Sequence, residues 1–486
     1  MRRRLPSIAA AWLLLLVALP ALAYLFGVRQ PLLLNREPAP FPAVNRSSLP
    51  NKAIYPRFDA AILDRLPLRQ YALQFRGLVA VRLFAHSSND AVVIGKHGWQ
   101  FYRQELRACE DAPPDVTDPV DAADSVARSI VASGRTGGLV IAGSKVVAER
   151  ANTPASIKPQ VDCVAALERA VHDRLADAPG GIDLEGRLGA IRRAGNDTFL
   201  KHDTHWNGLG REEFVRATLD AIRPGLADAA GLTLSKEKVR HAGDLGKLLG
   251  VPERDATALP QVARTPAHAL APGTVALVGD SQFEEAYQAP APNGPSIQAR
   301  ALPGQRSCTV NAVEAGTCDA LMRGSRAVIQ EMVGRGLRDF TNGCWRTVSV
   351  MGETMRGPAG RWQAAPEIQG AGGTLALGAA GVIVKATLPG GDVSKTPRLI
   401  RIPIQTLPPA PAGQPASVVG LGEVTESGDQ VTPCNSQTQS VQGRALIITV
   451  PAGRKVSDLK IVLTAPAGTV IGRPQEIVLD GHDASR

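Results

Sequence analysis

The stretch TVALVGDS, residues 274–281, decides the fold. TVALV is a short apolar run that reads as a buried strand, and Gly279-Asp280-Ser281 follows it at once. A strand running into such a turn places Ser281 at the carboxyl end of a parallel sheet, where α/β folds keep their reactive groups. The glycine permits a tight turn, and a helix starting there offers backbone N–H groups to a developing oxyanion. A lone Gly-Asp-Ser is weak evidence and is usually an ordinary loop. Its position behind a buried strand raises its value.

Outward from this stretch, strands and helices alternate. Residues 58–84 have apolar positions at helical spacing, and residues 91–94 and 99–103 form a predicted hairpin around Gly95-Lys96-His97-Gly98. Helices are expected over 120–131, 161–175 and 208–222, and buried strands at GLVIA (138–142) and AVIQ (327–330). Such alternation predicts an α/β domain with a mainly parallel sheet and helices on both faces. From about Trp345 the pattern changes. Short β-branched runs at 347–351, 382–388, 399–404, 445–450, 459–463 and 476–479 are separated by Gly/Pro turns, which predicts a C-terminal antiparallel β-sandwich.

With 486 residues the chain has room for about three units of roughly 150 residues. Its 44% hydrophobic and 20% charged residues fit a folded protein, and only 4% are aromatic, so Ala, Val, Leu and Ile must build the core. The net charge is +9, but both signs are dispersed and no Lys/Arg tract is interleaved with aromatics; nucleic acid is not an expected partner. Arg2, Arg3 and Arg4 precede an almost uncharged run over residues 5–28, which reads as an export signal. Cleavage after Ala23 would release the protein. Tyr24, Leu25 and Phe26 extend the run to a length that could span a bilayer, so an uncleaved anchor is the expectation. The resulting division is a signal anchor or signal peptide at 1–30, a Pro-rich linker at 31–54, a catalytic domain at 55–343 and a β-sandwich at 344–486.

Export suits the six cysteines, Cys109, Cys163, Cys308, Cys318, Cys344 and Cys434. None forms a CxxC pair or has histidines at zinc spacing, so no metal is expected, and nothing in the sequence calls for a cofactor. Cys308 and Cys318 could staple one loop and Cys344 and Cys434 the tail, which leaves Cys109 with Cys163. Six cysteines allow 15 pairings, and free buried thiols stay open as well.

A serine hydroxyl becomes a useful nucleophile when a histidine takes its proton, and that histidine needs a carboxylate to fix its tautomer. Asp203-Thr204-His205-Trp206 supplies both just before the helix expected from Gly208. Two residues apart in an extended turn, Asp203 and His205 can share one side of the backbone, with Trp206 packed beneath. The plainer alternative is a helix N-cap by Asp203 or Thr204, with His205 incidental.

An exported chain with DTHWN (203–207) and then GDS (279–281) resembles the SGNH-hydrolase-like alginate O-acetyltransferases, the AlgJ/AlgX-like family. Further segments match that family: Phe58-Asp59 with DRLPLR (64–69), Asn89, GKHGWQFY (95–102), Gly143-Ser144-Lys145, Gly243-Asp244-Leu245 with Leu249-Gly250, and VIQE (328–331) with Arg335. The match runs from about residue 55 to 340. It implies a three-layer SGNH-hydrolase-like domain. It also implies Ser281 as the acetyl-carrying nucleophile, His205 as general base and Asp203 as its orienting partner. The Ser281 N–H would serve the oxyanion, with Gly304 a further donor candidate, and Lys145 and Arg335 could meet an anionic sugar. Gln282 follows the serine where the family more often has an aromatic residue. The resemblance also implies an exported polysaccharide as acceptor, a membrane-bound O-acyltransferase as acetyl donor, and a periplasmic location at the inner membrane. A polysaccharide acetyl esterase and a non-catalytic export scaffold are the alternatives. Some members carry a sugar-binding tail, but this chain has no aromatic residue after Trp362, leaving Trp345 and Trp362 as the stacking candidates.

Overall fold

The computed structural model describes residues 54–65, 69–84, 86–110, 117–251, 253–266, 273–288, 295–309, 321–322 and 324–337, a few residues before 54, and strand backbones between 363 and 478. Strands β1 (Val92–Ile94) and β2 (Gln100–Tyr102) form the expected hairpin. Then come β3 (Thr136–Ala142), β4 (Leu232–Ala242), β5 (Arg254–Val262), β6 (Val275–Gly279), β7 (Arg306–Thr309) and β8 (Ala327–Val333). β3, β6, β7 and β8 make a four-stranded parallel sheet in the order β3-β8-β6-β7. One row of it reads Leu139, Gln330, Val278, Cys308.

Side chains alternate across this sheet, as the pleat requires. Val140, Ala142, Val275, Leu277, Ala327 and Ile329 enter one core, with Phe214, Val215 and Leu219 of the helix Gly208–Ile222. Leu139, Ile141, Ala276, Val278 and Val328 enter the other. There they meet Ala127 and Ile130 of helix Thr117–Ala132 and Leu167, Val171 and Leu175 of helix Lys158–Asp177. Both faces are therefore covered, and the domain is a three-layer α/β fold. The scarce aromatics concentrate on the first face: the Trp206 and Phe214 ring centroids lie 4.9 Å apart, as do those of Phe283 and Tyr287.

The helix expected over 58–84 is two helices, Ile54–Arg65 and Arg69–Phe84, on either side of Pro67. A proline lacks the amide donor and disfavours helical backbone in the residue before it. The antiparallel pair β4–β5 has no counterpart in the sequence reading. Lys236, Glu237 and Lys238 stand exposed in β4 and blur its apolar alternation.

In the tail, Arg398–Thr406 pairs antiparallel with Ala445–Val450 and Gln475–Val478, and Ser417–Glu426 pairs antiparallel with Asp458–Thr464. The expected strand at 347–351, Trp345 and Trp362 lie outside the described residues. So does nearly all of 1–30, where the anchor is expected; no helix among the described residues is long and apolar enough to cross a membrane. Cys109 is disulfide-bonded to Cys163, and Cys308 is also disulfide-bonded; Cys318, Cys344 and Cys434 lie outside the described residues.

Candidate active site

Ser281 opens the helix Ser281–Tyr287 at the carboxyl end of β6. Asp280 caps that helix, its Oδ1 accepting from the Gln282 N–H at 2.8 Å. The glycine before it is required by close approach rather than by a left-handed φ. A Cβ on Gly279 would sit 2.6 Å from Phe283 Cβ and 2.7 Å from Glu331 Oε2. Glu331, on β8 and 1% exposed, accepts the Asp280 N–H at 2.8 Å. Burial, and then the neighbouring Asp280 charge, push the Glu331 carboxyl well above the usual carboxylate range. Arg335, just beyond β8, brings its guanidinium to 3.6 Å from Asp280 Oδ2.

Asp203 and His205 sit in a loop closed by an antiparallel bridge between Phe199 and Trp206. The following helix is capped by Asn207, whose side chain accepts from Gly210 N, so neither Asp203 nor Thr204 is its N-cap. Trp206 is fully buried under the loop. Asp203, 1% exposed, is saturated. Its Oδ1 accepts from His205 N at 2.9 Å and His205 Nδ1 at 2.5 Å, and its Oδ2 from Asp244 N at 2.8 Å and His241 Nε2 at 3.0 Å. Burial alone would raise the Asp203 pKa, but the bonds from His205 and His241 outweigh it and hold the carboxyl far below its usual range. Burial likewise opposes the charged form of His205, yet the Asp203 hydrogen bond raises its pKa above 6.5.

The arrangement leaves His205 Nε2 buried and without a hydrogen-bond partner among the described residues. With Nδ1–H committed to Asp203, Nε2 carries the lone pair a general base uses. Ser281 Oγ makes no hydrogen bond to it. The two are joined through Gln282 instead, whose Nε2 donates to Thr204 O at 2.9 Å and whose Oε1 accepts from Trp206 N at 3.4 Å. Asp203, His205 and Asp244 are the one group among the described residues with metal-ligand spacing, within 4.8 Å of each other. Four N–H donors already occupy both Asp203 oxygens, which argues for a hydrogen-bonded site rather than a metal centre.

Two expected site residues stand elsewhere. Lys145 is fully buried, its Nζ donating to Gln100 O at 2.6 Å, Lys201 O at 2.9 Å and Asp203 O at 2.8 Å. All three protons are used, so it braces the loop of Asp203 from beneath and has none for a sugar. Burial pushes its ammonium down to about 8, against the pull of Glu105 and Asp203. Lys145→Met would take the ammonium's hydrogen bonds from the Gln100, Lys201 and Asp203 carbonyls and its positive charge from beside the buried Glu105. The expected result is a loss of about 3–5 kcal/mol in urea unfolding. Gly304 lies before β7, and its carbonyl accepts from Gly273 N, ahead of β6. Because β6 and β7 run parallel, that is the opposite end of the sheet from Ser281, about 16 Å away at strand spacing. Gly304 is therefore not an oxyanion donor.

Sequence reading passed over His241, Arg211 and the bridging role of Gln282. Arg211, 2% exposed, donates from Nε to Trp206 O at 2.9 Å and pairs through NH1 with Glu285 at 3.1 Å. The GDL block was legible, and its reason is now visible: a Cβ on Gly243 would lie 2.0 Å from His202 O, so Asp244 can approach Asp203 only behind a glycine.

The three-layer domain with its parallel sheet is SGNH hydrolase-like. A family model described as the SGNH hydrolase-like domain of the acetyltransferase AlgX matches residues 92–289, which include Asp203, His205 and Ser281. These residues are similar to the acetyltransferase's SGNH hydrolase-like domain. A Pseudomonas aeruginosa protein named probable alginate O-acetylase AlgJ is 27% identical over 266 residues; the match covers 51% of this chain and 65% of that relative's length. Among solved structures, the O-acetyltransferase domain of Pseudomonas putida AlgJ is 20% identical, with 51% of this chain and 92% of that one covered and a TM-score of 0.36. Pseudomonas aeruginosa AlgX is 11% identical, with 80% and 94% covered and a TM-score of 0.37.

Proposed function

We propose that this chain is an O-acetyltransferase of an exported polysaccharide that works through an acetyl-serine at Ser281. The observation that carries the reading is the Asp203–His205 pair, with its buried unpartnered Nε2, tied to the Ser281 helix inside the family-matched region. In the forward step Ser281 Oγ attacks the acetyl carbonyl of the donor, and its proton passes to His205 Nε2. Asp203 stabilises the imidazolium, and the Ser281 N–H, in the first turn of its helix, faces the developing oxyanion. Collapse breaks the bond to the donor's leaving group, which departs with the proton from His205. A sugar hydroxyl then gives its proton to His205 and attacks the acetyl-serine. The acetyl group moves to the sugar, and Ser281 Oγ recovers the proton.

The acceptor class comes from the relative's name, which specifies alginate. A membrane-bound O-acyltransferase would supply the acetyl group, because acetyl-CoA is confined to the cytoplasm. The setting would be the periplasm, with residues 1–30 as an inner-membrane anchor or signal peptide and 31–54 as the linker. The domain division at 343/344 and a sandwich built from the two antiparallel tail sheets belong to the same proposal. So does the approach of an anionic sugar to Arg335, whose side chain is 25% exposed.

The decisive experiment incubates the protein with a chromogenic acetyl ester and alginate oligosaccharides and follows the sugars by mass spectrometry. Acetyl groups should appear on the oligosaccharides in a Ser281-dependent way. Deacetylation of pre-acetylated oligosaccharides without any gain would replace the transferase with an esterase. Failure of a serine-directed sulfonyl fluoride to label Ser281 would leave only the scaffold.

A further inference from the structure

Taking Ser281 and His205 as nucleophile and base, as proposed above, we infer that Gln282 is a positioning residue that sets where His205 stands relative to Ser281. Asp203 fixes the imidazole within its own loop, but that does not determine where the serine lies. Oγ and Nε2 come from segments far apart in sequence and are not hydrogen-bonded to each other. Something must register the loop against the helix.

Gln282 has the geometry for it. It adjoins Ser281, is 4% exposed, and is itself held by its N–H on Asp280 Oδ1 at 2.8 Å. Its carboxamide grips the chain on both sides of His205: Nε2 donates to Thr204 O at 2.9 Å, and Oε1 accepts from Trp206 N at 3.4 Å. Thr204 and Trp206 are the immediate neighbours of His205. One rigid amide plane, rooted beside the nucleophile, thus holds the peptide units that carry the base. Arg211 adds a second tie of the same sense, linking Trp206 O to Glu285 one turn further along the serine's helix.

The chemistry selects glutamine. The grip needs a donor and an acceptor at the end of a two-methylene stem. Methionine matches the length and has neither a comparable donor nor acceptor, and asparagine has both but one methylene short. A reacting pair misplaced by about 1 Å can lose on the order of 10²-fold in rate.

The test compares wild type, Gln282→Met and Gln282→Asn as full-length folded proteins, with Ser281→Ala in parallel. With the chromogenic acetyl ester, Gln282→Met should lower kcat by about 10²-fold and leave KM within about twofold, since the ester itself is still bound. Gln282→Asn should fall between, and its retracted amide keeps the question answerable if the methionine variant does not fold. Amide hydrogen exchange supplies a readout free of turnover: the Trp206 N–H should exchange at least about tenfold faster in Gln282→Met. A kcat within about threefold of wild type in the folded variants overturns the proposal, and so does unchanged exchange at Trp206. Absence of Ser281-dependent turnover in the wild type would instead sink the functional reading and with it the catalytic half of this one; the exchange measurement still decides whether Gln282 holds the loop.

Discussion

Ser281→Ala should lower the turnover of a chromogenic acetyl ester by about 10³-fold or more and leave the protein as stable as before. The two halves of this expectation have different causes. Ser281 is half-buried, and its Oγ has no hydrogen bond among the described residues, so removing it leaves no buried group without a partner. The helix cap belongs to Asp280 and is untouched. A change within about 0.5 kcal/mol in unfolding free energy is therefore expected. The rate loss follows because the acetyl group has nothing to be transferred to. Intact-mass analysis after exposure to the ester should show an acetylated species for the wild type and none for the variant. Near-wild-type turnover in Ser281→Ala would end the covalent mechanism.

Asp203→Asn should be comparably severe, with kcat down by about 10³–10⁴-fold, for a reason that can be read atom by atom. Asp203 accepts four N–H groups, two on each oxygen. An asparagine can accept on only one side and must turn an NH₂ towards donors on the other. If the NH₂ faces His205, the ring must present Nδ1 as acceptor and carry its proton on Nε2, which destroys the base. If it faces Asp244 and His241, the loop loses its tie to β4. The pH profile distinguishes this loss from simple misfolding. In the proposed mechanism neutral His205 is the base, so wild-type kcat/KM should fall as pH drops through a His205 pKa raised above its usual 6.5. Asp203 is what raises that pKa, so the acid limb should move to lower pH in the residual activity of Asp203→Asn. An unmoved limb would mean that another group sets it.

How much of this was legible in sequence follows from the range of the interactions. GLVIA and TVALV could be read because strands buried on both faces are continuous apolar runs. DTHW and GDS stand out because their residue types and order are those a nucleophile and its base would need. Lys145 could not, because its three acceptors, on Gln100, Lys201 and Asp203, converge from 45 to 58 residues away. A lysine with such partners looks in sequence like any surface lysine. Gly304 was misplaced because RSCT is too short and polar to announce β7, and without the strand the glycine has no end of the sheet assigned to it. His241 and Gln282 act across 38 and 78 residues, and no local pattern marks either.

The strand order has a consequence for how the protein is born. β8, the last strand of the parallel sheet in chain order, lies between β3 and β6, and among the described residues it is the only strand that β3 pairs with in that sheet. While the chain emerges from its amino end, β3 therefore waits with one edge bare until residue 333 arrives. The Cys109–Cys163 link can close long before then and hold the early half together. Premature termination anywhere before Ala327 leaves β3 without the strand that joins it to β6 and β7 in one sheet. The sheet is synthesised in sequence but is complete only with its last strand.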